Sequence, residues 1–84
     1  MLRPNSSMGE ALYYGKGIPQ DYSQAIVWYE KAALQNNVEA EYSLGYMYRF
    51  GQGVPLSYPL AASWLTSAAT AGYAPAQSEL ASLF

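Results

Sequence analysis

The punctuation of this chain repeats at a fixed distance: Gly15-Lys16-Gly17-Ile18-Pro19 is followed 36 residues later by Gly51-Gln52-Gly53-Val54-Pro55. At the same offset Ser7/Ser43, Gly9/Gly45, Tyr22/Tyr58, Ala25/Ala61, Trp28/Trp64, Ala32/Ala68, Ala33/Ala69, Ala40/Ala76 and Leu44/Leu80 are identical, making twelve identities among 48 aligned pairs. Self-similarity at that period describes one supersecondary unit, copied and stacked. Any acceptable fold must therefore place the two copies in equivalent environments.

Within each copy the apolar residues follow helical spacing. Tyr22, Ala25, Ile26, Trp28, Tyr29, Ala32 and Ala33 recur every three or four residues, and Tyr58, Ala61, Ala62, Trp64, Leu65, Ala68 and Ala69 repeat the stripe. Asp21 and Ser57 precede these stripes as N-caps, with Gln24 completing a capping-box pattern after Asp21 and Pro59 falling in the first turn of the second copy. Asn36-Asn37 and Gly72 supply residues that accept the left-handed conformation at a helix end. A second helical stripe runs from Val38 to Phe50 through Ala40, Leu44, Met47 and Tyr48, and Gly51 and Gly53 end it. Glycine costs about 1 kcal/mol against alanine inside a helix. Gly9 and Gly45 are therefore expected where a neighbouring helix passes too closely for a side chain, a place that Ala81 holds in the third copy. The reading is five helices, near 5–14, 22–35, 38–50, 58–71 and 75–84: repeat 1 about 5–37, repeat 2 about 38–73 and a partial repeat 3 about 74–84, together one domain over 1–84. The fold class is all-α, with αα hairpins stacked as a short solenoid of about two repeats plus one extra helix.

Composition narrows the functions. The 84 residues hold no cysteine and no histidine, so neither a disulfide framework nor a thiolate zinc site is available. The four basic residues, Arg3, Lys16, Lys31 and Arg49, are dispersed in a chain of net charge −2, which leaves no electrostatic footprint for nucleic acid. Leu60 to Ala76 is apolar on average but is interrupted by Ser63, Thr66, Ser67 and Thr70 and falls short of the ~20 residues that span a bilayer. No membrane span is expected. Pro4-Asn5-Ser6-Ser7 stands where a signal peptide needs an apolar run, so the compartment is read as cytoplasmic by default, or exported if a leader has been removed. No histidine base, cysteine nucleophile or Ser-x-x-Lys pair is present, and Glu10, Asp21, Glu30, Glu39, Glu41 and Glu79 are scattered. No catalytic, cofactor-binding or metal-ligating set is read from the chain.

Leu44-Gly45-x-x-Tyr48-x-x-Gly51-x-Gly53-Val54-Pro55 and Ala25-x-x-Trp28-Tyr29-x-Lys31-Ala32-Ala33 resemble the Sel-one-like repeat family, a relative of the tetratricopeptide repeats. The resemblance runs from about Ser7 to Phe84. It implies a right-handed superhelix whose first helices line a concave groove, used as a scaffold for protein complexes and without catalysis. Some cysteine-bridged bacterial members of the family are associated with penicillin binding or lactam hydrolysis, and this chain lacks their cysteines. The second copy departs from the family pattern at Leu56-Ser57, and it has Thr66-Ser67 where the first copy has Glu30-Lys31. Carried onto this chain, the groove positions are Glu10, Tyr13 and Tyr14 in the first copy and Glu39, Tyr42, Tyr46, Arg49 and Phe50 in the second. This set is expected to bind a protein or peptide, since tyrosine joins a large apolar body to a polar tip. Trp28 and Trp64 share a register and are assigned to packing. The last helix carries Leu80, Leu83 and Phe84 with no following helix to cover them, which points either to a fragment of a larger solenoid or to a homodimer formed through these residues.

Overall fold

A computed structural model describes residues 6–83. Five helices follow one another: α1 (Ser6–Tyr14), α2 (Tyr22–Ala33), α3 (Val38–Phe50), α4 (Tyr58–Thr70) and α5 (Ala74–Leu83). Each packs on the next, and α3 also approaches α5. The first helices α1, α3 and α5 thus form one layer and the second helices α2 and α4 the other. Among the described residues no helix is long and apolar enough to cross a membrane.

The punctuation residues explain the boundaries. Asp21 accepts from the Gln24 N–H at 3.1 Å, Asn37 from the Ala40 N–H at 2.9 Å and Ser57 from the Leu60 N–H at 3.3 Å, so three helices begin on a side-chain cap. The Asp21 N–H donates to Leu12 O at 2.8 Å, and its repeat mate, the Ser57 N–H, donates to Tyr48 O at 2.9 Å. A backbone carbonyl of the preceding helix therefore occupies the donor that a capping box would assign to Gln24. These bonds tie the start of each second helix to the end of the first. Asn36 adopts φ 65° and Gly72 φ 92°, so both second helices give way to the next first helix through the left-handed conformation at the matching place.

The main core lies between the two repeats and inside the second. Ala25, Ile26, Tyr29, Ala32 and Ala33 of α2 meet Ala40, Leu44 and Met47 of α3, with Leu12, Tyr13, Tyr22, Val54 and Trp64 packed around them. Leu65, Ala68 and Ala76 form a second cluster, flanked by Val38, Tyr42, Tyr73, Leu80 and Leu83. The many buried alanines allow the helices to pack closely. A Cβ at Gly9 would lie 2.9 Å from the Tyr29 ring, and one at Gly45 2.6 Å from Leu65 Cγ. Ala81, at the third copy's place, is exposed. The two tryptophans differ more than their shared register suggests: Trp64 leans on the main core, whereas half-buried Trp28 carries the Lys31 ammonium 4.6 Å from its ring centroid. In the first copy the deeply buried ring is Tyr29, its neighbour.

Candidate functional site: an aromatic cleft between α1 and α3

The eight groove residues expected from the sequence lie on α1 and α3, and four of them, Tyr13, Tyr14, Tyr42 and Tyr46, line one cleft. This cleft of about 350 Å³ is lined by Tyr13 and Tyr14 of α1, Tyr42, Ser43 and Tyr46 of α3, and Tyr29 of α2 at its floor. The rings form two runs, one on each side of the cleft. Tyr14 meets Tyr13 edge-on at 4.8 Å between centroids, and Tyr46 lies 6.3 Å from Tyr42 and 4.7 Å from Phe50. Tyr42 continues to Tyr73, in the turn between α4 and α5, at 5.4 Å. Such tilted and edge-on pairs are favourable contacts between large side chains. The Tyr13 hydroxyl donates to Gln52 Oε1 at 2.8 Å, anchoring α1 to the second glycine turn.

The remaining candidates differ in what they already hold. Phe50 is half-exposed at the end of the aromatic row. Glu10 and Glu39 are exposed, and Glu10 lies 3.8 Å from the Lys16 ammonium. Arg49 is already engaged within the chain: its guanidinium donates to Glu79 and, at 3.2 Å, to Ser82 Oγ, joining α3 to α5. Leu80 and Leu83 are half-buried against α4 and the second cluster, with Leu83 also facing Tyr58, Pro59 and Ala62, while Phe84 lies outside the described residues. Among the described residues no group of three or more His, Cys, Asp or Glu is placed to hold a metal ion.

Two polar links escaped the sequence reading. Glu41 is buried and accepts from Ser67 Oγ at 3.0 Å, joining α3 to α4, and Glu79 closes on Arg49. The Thr66-Ser67 departure from Glu30-Lys31 was the available signal for the first, since a small hydroxyl leaves room for a carboxylate from the neighbouring helix. For the second, the signal was an acid at Glu79 where the other copies have Ser43 and Ser7.

Burial raises the pKa of these phenols and so opposes their ionisation. Tyr29 is pushed up to about 12, chiefly by burial, with the nearby Ser43 hydroxyl pulling it down and the Glu10 charge adding to the rise. Tyr13, Tyr42 and Tyr73 are also raised, again first by burial. A phenol whose folded value exceeds its unfolded value of 10.0 contributes stability that is complete below pH 10 and is lost as pH climbs toward 12. Denaturant stability is therefore expected to be level from neutrality to about pH 9 and to fall by roughly 2 kcal/mol between about pH 10 and 12. Tyr29→Phe should blunt that fall. An unchanged profile in the variant would show that Tyr29 does not carry the effect.

The repeat architecture and the glycine turns are those of a known family. The Sel1 repeat model matches residues 6–37 and 38–73. The chain belongs to the Sel1 repeat family. A crystal structure of a Sel1 repeat protein from Oxalobacter formigenes superimposes with a TM-score of 0.91 at 46% identity, covering 94% of this chain and 23% of that one. The structure of c5321, a protective antigen of uropathogenic Escherichia coli displaying an SLR fold, matches 80% of this chain and 14% of that one at 40% identity, with a TM-score of 0.79. In Arabidopsis thaliana, the ERAD-associated E3 ubiquitin-protein ligase component HRD3A is 42% identical over 41 residues, which are 49% of this chain and 6% of the plant protein. The Sel1 chain thus spans less than a quarter of each of these relatives. Its five helices form the short right-handed αα solenoid of the family, whose repeats in general serve as non-catalytic protein-interaction scaffolds.

Proposed function

We propose that this Sel1 module holds a protein or peptide segment along the layer of first helices, using the tyrosine row of α1 and α3. The carrying observation is the open aromatic cleft: Tyr13, Tyr14, Tyr42 and Tyr46 line a concave surface whose rings pair with one another. The scaffold role of the family and the membership of HRD3A in a ligase complex support assembly rather than chemistry. No residue set in the cleft supplies a nucleophile and a base together, since its lining is five tyrosines and one serine.

Peptides selected from a random library on the wild-type chain test this reading. Tyr46→Ala with Phe50→Ala should weaken them at least about tenfold, the loss expected from removing central aromatic anchors. Helical circular dichroism should stay unchanged, because Tyr46 and Phe50 lie outside both buried clusters. Tyr42→Ala is the less clean probe, because Tyr42 also packs on the second cluster and on Tyr73. Selected peptides that bind the double variant normally would move the binding surface elsewhere.

A further inference from the structure

The two repeat interfaces treat the same place differently. Adding 36 to the residues that line the cleft gives Arg49, Phe50, Leu65, Ser78, Glu79 and Ser82 at the next interface. There the chain fills the place itself: the Arg49 guanidinium lies 5.1 Å from the Phe50 ring centroid and bonds Glu79 and Ser82 across to α5. Between α1 and α3 the counterparts of Arg49 and Glu79 are Tyr13 and Ser43, so no internal cation bridges the helices and the cleft stays open.

The open site has the chemistry of a cation receptor. Its lining carries no charged group, and it offers the electron-rich rings of Tyr13, Tyr14, Tyr42 and Tyr46 above buried Tyr29, with phenol and serine oxygens as acceptors. Beyond the effect of burial, nearby carboxylates raise its tyrosines further, Glu10 acting on Tyr29 and Glu79 on Tyr42. At the rim the exposed Lys16 ammonium already sits 5.3 Å from the Tyr14 ring centroid, an internal sample of the same attraction.

We propose that the cleft between α1 and α3 receives an arginine or lysine side chain from the bound protein segment, which would face its tyrosine rings and Ser43 as the Arg49 guanidinium faces Phe50, Glu79 and Ser82 at the next interface. This specifies the ligand chemistry of the groove and rests on the groove-binding reading. Guanidinium N–H groups would meet the Ser43 and tyrosine oxygens while the planar cation stacks on the rings.

The test compares the peptide acetyl-Gly-Leu-Arg-Leu-Gly-amide with the same peptide carrying citrulline, a neutral isostere of arginine, titrated into the whole chain and followed by amide shifts. The arginine peptide should bind roughly tenfold more tightly, with shifts centred on Tyr13, Ser43 and Tyr46. Tyr46→Leu, which keeps apolar bulk but removes the ring, should cut the preference to about twofold or less. Equal binding of both peptides in the cleft would overturn the cation proposal and leave the groove reading standing. A preference that survives Tyr46→Leu, or shifts spread over Asp21 and Glu30 instead, would reduce the effect to general charge attraction and overturn it too. Should neither peptide move the cleft residues at millimolar concentration, the cleft does not take a basic side chain, whereas the groove reading is decided separately by the selected library peptides.

Discussion

Gly53→Ala is expected to cost about 3 kcal/mol or more, whereas Gly17→Ala, at the same place in the first repeat, should cost about 1 kcal/mol. Both glycines are left-handed, with φ +77° at Gly17 and +76° at Gly53, so an alanine suffers the same backbone strain at either. What differs is the neighbour. A Cβ on Gly17 meets nothing within 4 Å, but on Gly53 it would stand 2.7 Å from the Tyr22 carbonyl carbon and 2.9 Å from its oxygen. Those atoms are backbone at the start of α2 and cannot rotate away. The second glycine turn is seated on the first repeat, so the substitution pries the hairpins apart. At roughly 4–8 °C per kcal/mol for a domain of this size, thermal unfolding should separate the two variants by 8 °C or more. Equal melting temperatures would mean that the turn yields without disturbing the interface.

The contrast between these glycines marks how far the sequence could be read. The 36-residue repeat, the caps at Asp21 and Ser57, the left-handed turns at Asn36 and Gly72 and the close approaches at Gly9 and Gly45 were all legible. Each is set by local backbone chemistry or by a helical period, which a single strand of letters carries. Pairings across repeats were harder. Arg49 reads as a free groove cation until α5 is placed beside α3, and Glu41 reads as a surface acid until Ser67 of α4 comes within 3.0 Å. Helical periodicity says which face a residue occupies. It does not say which residue 26 or 30 positions away will stand opposite, because that depends on how the helices cross. Comparing the copies position by position recovers part of this, since the Arg49–Glu79 bridge falls where Tyr13 and Ser43 leave a cleft.

The second large effect is expected beneath Gly45, and it should appear as coupling rather than as a sum. Leu65 is fully buried, so Leu65→Ala should cost about 2–5 kcal/mol through lost burial and a residual cavity. Gly45→Ala places a methyl 2.6 Å from Leu65 Cγ, 2.8 Å from its Cδ2 and 3.2 Å from Ala61 O. Cγ is near the root of the side chain, so Leu65 escapes only by changing rotamer within a packed core. The overpacking penalty of about 1–3 kcal/mol should exceed the roughly 1 kcal/mol that alanine gains over glycine in a helix. In the double variant the new methyl enters the space that the leucine vacated, removing the side-chain clash, leaving only the 3.2 Å approach to Ala61 O, and filling part of the cavity. The double variant should therefore be more stable than the sum of the single losses predicts, by about 1–2 kcal/mol. Losses that add to within about 0.5 kcal/mol would show that the two sites do not share one contact. Because Gly45 faces α4 while Tyr42 and Tyr46 line the cleft, these variants should change unfolding and leave peptide affinity intact wherever the chain is folded. Loss of affinity in a folded Gly45→Ala chain would mean instead that the α3–α4 contact sets the shape of the aromatic surface.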